Sequence, residues 1–295
     1  MLTLCAMIVA TEITPMDLRA ERKLEQLCSH ARDIRCASMR ALRAAGSGHV
    51  GGAMSAADLL AALYFDWLRI DPSQPDWTDR DRFVLSKGHG NAALSAVLAL
   101  AGFFPLEDLD RFYGMASPLG MHPDIKVPGM EMSTGGLGHG LSIGVGMALG
   151  AARQARAFRT VVMLGDGELQ EGSNWEAAMS AAHFKLNQLL AIVDFNKVQQ
   201  SGDVATMMQL EPLDAKWSSF GWAVKRIDGH DMGAIVDALD AFPWGGDKPC
   251  VLIADTVKGK GLSFAEHRYE WHSNNVTEAI YQQAINELER SHVGA

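Results

Sequence analysis

The stretch that most constrains the fold runs from Thr160 to Val198, where two short apolar runs flank an alanine-rich segment. The first run, Val161 to Leu164, ends in Gly-Asp-Gly, and the second, Leu189 to Val193, ends in Asp-Phe-Asn-Lys-Val. Short aliphatic runs bounded by turn residues are typical of buried parallel strands, and the middle segment predicts their crossover helix. The stretch therefore predicts a βαβ unit within an α/β domain.

Each predicted strand is followed by a residue whose side chain carries oxygen. Asp166 and Asn196 would both lie at the carboxyl edge of the sheet, where open α/β sheets bind their ligands. Mg2+ prefers oxygen ligands and usually takes only one or two protein carboxylates, with phosphate and water completing the octahedron. Asp166, Asn196 and the backbone carbonyl of Val198 are therefore candidate metal ligands, and Gly167 leaves its N–H open to a phosphate. The simpler alternative is a strand-ending turn beside an unrelated asparagine.

The motif GDGELQEG, with an N-K-V segment after the second strand, resembles the thiamine diphosphate motif of transketolases. Further similar motifs spread from Ser47 to His272, so the resemblance covers nearly the whole chain. It implies the thiamine diphosphate-binding fold, an α/β fold with a mostly parallel sheet and helices on both faces. It also implies thiamine diphosphate and Mg2+ as cofactors. The chain is similar to the cofactor-diphosphate half of a transketolase, standing alone as the N-terminal subunit of a split enzyme.

The composition limits the size of the core, the classes of binding partner and the cellular compartment that we expect. With 295 residues, 48% of them hydrophobic, the chain can bury a large core, and we divide it into a tail, 1–16, and one domain, 17–295. The net charge of -9 argues against nucleic acid or an anionic membrane as partner. Four cysteines without metal-site spacing indicate reduced thiols and a cytoplasmic protein, and the apolar N-terminal run is too short to span a bilayer.

Two glycine-rich turns carry histidines. The first, SGHVGG, precedes a helix that we predict from an N-cap at Ser55 to Trp67, and it resembles the transketolase segment whose histidine faces the substrate. This resemblance makes His49 a candidate catalytic residue, with an ordinary loop histidine as the alternative. The second turn, SKGHG, leads into a helix whose N-terminus favours a phosphate. The resemblance makes His89 a diphosphate ligand, and Lys87 is expected to be a structural or surface charge.

A third histidine lies in the turn MHPD, which precedes the segment STGGLGHG as a similar pair of motifs does in transketolases. The resemblance places His122 near the reacting carbons, and Gly135 and Leu137 against the thiamine rings. Gly136 stands where the family has proline, and His139 where it has glutamine; the role of His139 stays open. The sequence argues against a dinucleotide fingerprint, because no hydrophobic strand precedes these glycines and no acidic ribose partner follows at the right distance.

Two further candidates come from the same resemblance. Glu171 matches a glutamate of the subunit interface in a proton-sharing network, although a first-turn glutamate that complements the helix dipole is an equal alternative. The segment KGKG followed by Trp271 and His272 resembles the end of this half in split transketolases, where the histidine approaches both diphosphate and substrate. His272 is therefore a candidate for catalysis and cofactor binding, whereas His267 is expected at the surface.

The resemblance implies ketol transfer, in which a two-carbon unit passes from a ketose or ketose phosphate to an aldose through thiamine diphosphate. No glutamate here matches the one that activates the aminopyrimidine, so a second subunit with the pyrimidine-binding and C-terminal domains is expected, with two copies of each chain. The small-residue helix around Leu141 to Gly150 would face it. Alternatives are an alpha-type subunit of a decarboxylating 2-oxo acid enzyme and a non-catalytic partner subunit. The sugar, whether a pentose phosphate or a modified one, stays open.

Overall fold

A five-stranded parallel sheet forms the centre of the part of the chain that the structure, a computed structural model, describes, residues 15–290. All four pairs of neighbouring strands are parallel, and the order across the sheet is β1-β2-β3-β5-β4. The strands are β1 Arg82–Leu85, β2 Thr160–Gly165, β3 Leu189–Phe195, β4 Ala223–Asp228 and β5 Cys250–Asp255. Of the predicted tail, residues 1–14 lie outside the described residues, and its last two positions belong to the first helix.

Helices cover both faces of this sheet. The α-helices of seven or more residues are α1 Pro15–Ala45, α2 Val50–Ala62, α3 Asn91–Leu100, α4 Gly140–Arg153, α5 Gly172–His183, α6 Leu213–Ser219, α7 Met232–Asp240 and α8 Glu278–Arg290, and a single helical turn spans Val204–Met207. One apolar core joins α1, α2, α3, α7 and α8 to one face, and a second joins α4, α5 and α6 to the other. The predicted α/β fold class is confirmed. No helix within residues 15–290 has the length and apolar character needed to cross a membrane.

Strand β2 shows how the sequence builds the two cores. Val161 and Met163 pack into the first core, whereas Val162 and Leu164 pack into the second, because successive side chains of a strand point to opposite faces. Every residue of β2 and β3 is buried, and apart from Thr160 and Asp194 both strands are apolar runs in the sequence. In the register of the two strands Gly165 lies opposite Asp194, which brings the residues after both strands to one edge. The βαβ unit predicted from the sequence is therefore present.

The start of α2 differs from the prediction. The helix begins at Val50, directly after His49, and not at an N-cap at Ser55, which lies inside it. A Cβ at Gly51 would lie 2.7 Å from Cγ of Lys258, so this glycine permits a close approach between two segments and does not break the helix. Buried Ser55 instead donates from Oγ to the carboxylate of Asp194 at 2.7 Å.

Two short antiparallel ribbons lie outside the main sheet. Ser47–Gly48 pairs with Asn274–Asn275, which ties the segment before His49 to the segment after His272. Val198–Gln199 pairs with Gly202–Asp203 in a tight hairpin after β3. Both ribbons carry sequence-predicted site residues toward the same edge of the sheet.

Candidate active site

A cavity of about 410 Å³ opens at the carboxyl edge of the sheet, beyond the ends of β2 and β3. It is the location where ligands of open α/β sheets are expected. The predicted site residues that line it are His49, His89, Gly135, Leu137, Asp166, Gly167, Glu171, Asn196, Val198 and His272. Segments far apart in the sequence therefore meet in one cavity, and the exception among the predicted residues is His122, which packs against Gly135.

The oxygen-bearing group predicted to hold a metal is assembled from two strand ends. Asp166 accepts hydrogen bonds from the backbone N–H groups of Gly167, at 2.7 Å, and Lys197, at 2.5 Å. Asn196 follows β3 and accepts from the N–H of Val198 at 3.2 Å. The donor set therefore contains one carboxylate, one amide oxygen and the carbonyl of Val198, which suits Mg2+ better than a softer metal.

The electrostatic surroundings of Asp166 also favour a bound cation. Burial and the nearby carboxylate of Asp194 raise the pKa of Asp166 to about 6. A cation bound next to this buried carboxylate would lower its pKa again and so stabilise its ionised form. The residues present are therefore compatible with a bound divalent metal.

Four histidine rings lie close together, and three of them line the same cavity as Asp166 and Asn196. The ring of His49 lies 5.3 Å from that of His89, 5.4 Å from that of His272 and 6.4 Å from that of His122, measured between centroids. His89 and His272 are 5.0 Å apart. Nδ1 of His49 is buried without a hydrogen-bond partner among the described residues. A buried donor or acceptor without a partner is costly, so a bound ligand that pairs with it would be favoured.

The surroundings keep three of these imidazoles neutral. Burial, together with His122 and Lys258, lowers the pKa of His49. Burial also lowers the pKa of His89 well below its usual value, with Lys87 adding to the effect. Burial and the adjacent Lys258 lower the pKa of His272 to about 3. The three rings are therefore neutral at neutral pH, and an incoming anion would raise their pKa values.

Lys258 is a site residue that the sequence analysis missed. Its ammonium lies in the cavity, donates to the carbonyl of Val198 at 2.6 Å and lies 2.8 Å from Nδ1 of His272. Burial lowers the pKa of Lys258 to about 8, against the opposing attraction of Asp166. Its position after β5, at the same edge of the sheet, is the signal that could have identified it, because strand ends had already located Asp166 and Asn196.

Lys87 is structural and not a surface charge. Its ammonium is buried, contacts the carboxylate of Asp194 and donates to the carbonyl of Gly52 at 2.8 Å. Asp194 also accepts from Ser55 and from Thr256. Burial alone would raise the pKa of Asp194, but Lys87 and these hydroxyls hold it below its usual value. The pair therefore joins the segment before His89 to the segment before Asn196.

The remaining candidates lie at the mouth of the cavity or outside it. Glu171 is exposed just before α5, and a Cβ at Gly138 would lie 2.6 Å from its Cβ. His139 precedes α4, is exposed, and its ring lies beside Gly136 and not in the cavity lining. His267 is exposed and does not line the cavity. His272 lines the cavity and His267 does not, so only His272 remains a candidate site residue.

Residues 27–289 match the family model described as transketolase, thiamine diphosphate binding domain. The chain is 43% identical over 258 residues to a 6-deoxy-6-sulfo-D-fructose transketolase subunit from Clostridium sp. (strain MSTE9), covering 87% of this chain and 94% of the relative. It is 43% identical over 244 residues to an apulose-4-phosphate transketolase subunit from Phocaeicola vulgatus, covering 83% of this chain and 87% of the relative.

Solved structures agree with these sequence comparisons. A transketolase mutant from Pichia stipitis superposes with a TM-score of 0.84 at 32% identity, over 90% of this chain and 40% of that one. The transketolase from Campylobacter jejuni gives a TM-score of 0.83 at 31% identity, over 91% of this chain and 43% of that one. The chain therefore spans less than half the length of these solved enzymes.

Proposed function

Because this chain belongs to the transketolase family, we propose that it is the cofactor-diphosphate subunit of a two-chain transketolase. The enzyme transfers a two-carbon ketol unit from a ketose or ketose phosphate to an aldose. The observation that carries the proposal is the single cavity that Asp166 and Asn196 line together with His49, His89 and His272. An oxygen-ligand set beside neutral imidazoles and a buried lysine suits a metal diphosphate next to a sugar.

The proposed roles follow from the position of each side chain. Asp166, Asn196 and the Val198 carbonyl hold Mg2+. The groups that bind the diphosphate are His89, Asn196, Lys258 and His272. Gly167, whose N–H donates to Asp166, makes room for the diphosphate because it has no side chain. When bound, thiamine diphosphate supplies the electron sink for cleavage of the ketose C–C bond.

Side chains at the opening of the cavity have different proposed roles. Gly135 and Leu137 contact the thiamine rings, while His49, His122 and His272 orient the sugar and move protons at its hydroxyl and carbonyl oxygens. Glu171 lies at the mouth and contacts the partner protein, where it takes part in a proton-sharing network. These side chains divide the cavity into a cofactor end and a substrate end.

A second subunit with the pyrimidine-binding and C-terminal domains is part of the proposal, in a complex with two copies of each chain. The two relatives described above are named as subunits, and the chain covers most of each. On α4, a Cβ added at Gly146 or Gly150 would meet nothing within 4 Å, so this helix offers an open surface of small residues. On α5, Met179 is 55% exposed. An apolar surface of this kind supports a protein partner.

The donor is proposed to be a ketose with an anionic tail, in a carbohydrate pathway of the cytoplasm. The two relatives are named for 6-deoxy-6-sulfo-D-fructose and apulose-4-phosphate, and both are 43% identical to this chain. Identity therefore favours neither sugar over the other. A panel of sulfonated and phosphorylated ketoses, assayed with several aldehyde acceptors, would identify the preferred donor.

Purified alone with excess Mg2+ and thiamine diphosphate, the chain is expected to show no ketol transfer. Turnover should appear when the second subunit is added, because the aminopyrimidine end of the cofactor lacks its partner residues in this half. Coupled-enzyme assays of both preparations, with mass spectrometry to exclude a co-purified partner, make the comparison. Robust turnover by this chain alone would contradict the two-subunit proposal, and release of CO2 from 2-oxo acids would favour the decarboxylating class.

Replacing Asp166 with asparagine is expected to weaken Mg2+-dependent binding of thiamine diphosphate by about 10- to 100-fold, because the ligand set loses its only carboxylate. Titration calorimetry of the complex at several Mg2+ concentrations measures the change. Asp228→Asn is the control, since Asp228 ends β4 at the same edge of the sheet but does not line the cavity. Equal affinities for the two variants would remove Asp166 from the metal site.

A further inference from the structure

The loop between Thr134 and Gly140 places two residues in the cavity but has little regular structure of its own. Gly135 and Leu137 line the cavity, and a Cβ at Gly135 would lie 3.4 Å from the ring of His122. Four of the seven residues from Thr134 to Gly140 are glycines, and Gly138 has a φ of +84°. Glycine-rich backbone has many accessible conformations, so this loop needs fixed attachments if its residues are to keep one position.

The loop is attached at both ends. At its start, Oγ1 of Thr134 donates to the carbonyl of Leu85 at 2.7 Å. At its end, the N–H of Gly138 donates to Oε1 of Glu168 at 2.9 Å, and the N–H of Gly140 donates to Oγ of Ser86 at 3.1 Å.

Oγ of Ser173 also donates to the carbonyl of Gly138 at 2.9 Å, but the two N–H attachments at this end converge on one carboxylate. The hydroxyl of Ser86 donates to Oε1 of Glu168, so the bonds from Gly138 and Gly140 form one connected group. Oε2 of Glu168 accepts from the N–H of Gly165, the last residue of β2, at 3.0 Å. Glu168 is 2% exposed. One buried carboxylate thus joins the loop to the end of a central strand.

We propose that Glu168 is a positioning residue that holds this loop, which we call the ring loop (residues 134–140), against the cofactor-binding end of the sheet. Glu168 itself lines the cavity, and the proposed effect is the one it has on Gly135 and Leu137 through the ring loop. The inference rests on the proposed function for the identity of the cofactor. Its geometric part, the attachment of the ring loop, can be tested without any cofactor.

The substitution Glu168→Gln tests the attachment with little change in the shape of the side chain. Both carboxylate oxygens of Glu168 accept hydrogen bonds, one from Ser86 and Gly138 and the other from Gly165. An amide has only one oxygen, so its NH2 group must face a donor on one side or the other. A buried donor left without an acceptor costs enough to weaken the attachment by about 10- to 100-fold.

Hydrogen exchange of the full-length chain, followed by mass spectrometry, measures directly how firmly the ring loop is attached. In Glu168→Gln, amides of the ring loop should exchange about 10- to 100-fold faster, while peptides from β3 stay protected. Glu287→Gln is the matched control, because Glu287 also accepts from a backbone N–H and a serine hydroxyl, both of Ser263, away from the cavity. Unchanged exchange in the ring loop of Glu168→Gln would overturn the proposal.

Ser86→Ala provides a second variant in case Glu168→Gln fails to fold. It removes the acceptor for the Gly140 N–H and one of the donors to Glu168, so it should also speed exchange in the ring loop. If both variants fold, the double variant should exchange little faster than Glu168→Gln, because the two residues act as one unit. Independent, additive effects would contradict a shared attachment.

Ligand-binding measurements on the complex of this chain with its second subunit test the inference and the proposed function independently. Thiamine diphosphate should bind about 10- to 100-fold more weakly to Glu168→Gln, whereas Mg2+ with inorganic pyrophosphate should bind as it does to wild type. Equal losses for both ligands would mean that Glu168 serves the diphosphate end and not the ring loop. If the wild-type complex binds no thiamine diphosphate, the proposed function fails, while the exchange measurements still decide the attachment.

Discussion

Replacing Lys87 with methionine is expected to destabilise the protein by about 3–5 kcal/mol, because it leaves the carboxylate of Asp194 buried without its cation. Asp194 is fully buried and its other described partners are the hydroxyls of Ser55 and Thr256, which cannot supply a charge. Methionine preserves most of the apolar volume of the lysine stem, so loss of charge dominates the effect. Urea unfolding followed by circular dichroism measures the change.

The chain offers a matched control for this experiment. Lys185 pairs with Asp247 at 2.7 Å, but both side chains are largely exposed, 69% and 63%. Water screens such a pair, so Lys185→Met should leave the urea midpoint almost unchanged. Adding Asp194→Asn to Lys87→Met should recover part of the lost stability, since no unpaired charge then remains. Similar midpoints for the two lysine variants would show that the buried pair contributes no more than an exposed one.

Replacing His272 with alanine is expected to lower kcat of the assembled enzyme by about 10²- to 10⁴-fold, the range typical of a lost proton-transfer group. The ring of His272 lies 5.4 Å from that of His49 and 5.0 Å from that of His89, and its Nδ1 contacts the ammonium of Lys258. His49→Ala should give a loss of the same order, because its ring faces the same cavity. Steady-state kinetics with saturating cofactor measures both variants.

His267→Ala serves as the control, because His267 is exposed and lies outside the cavity although it closely precedes His272 in the sequence. Its kcat should match that of the wild type. Titration of thiamine diphosphate into each variant separates a defect in turnover from a defect in cofactor binding. If the three alanine variants had the same kcat, the division into site and surface histidines would be wrong.

The parts of the fold that depend on residues close together in the sequence could be predicted from the sequence. The apolar runs ending at Asp166 and Asn196 predicted β2 and β3 and their shared edge, because a buried parallel strand needs only a short aliphatic run with turn residues at its ends. The helix start at Val50 was not predicted. Gly51 looks like a helix breaker until the packing of Lys258 against it is known.

The contacts that organise the candidate site depend on chain segments far apart in sequence. Lys258 reaches the carbonyl of Val198, and Lys87 reaches Asp194, only because parallel strands bring their ends together. Charge and spacing in the sequence carry no information about which lysine faces which carboxylate. The motifs therefore predicted the members of the oxygen and histidine clusters, whereas the burial that neutralises the histidines became evident only in three dimensions.

The short ribbon between Ser47–Gly48 and Asn274–Asn275 has a consequence for synthesis of the protein. It joins a segment made early by the ribosome to one made late, and the rings of the histidines beside its two strands lie 5.4 Å apart. Closing so long a loop costs entropy that the short ribbon alone does not recover, so we expect the ribbon to form after the sheet has been assembled. The nascent chain can therefore pair β1, β2 and β3 during translation, but it gains its complete cavity only after His272 has left the ribosomal exit tunnel.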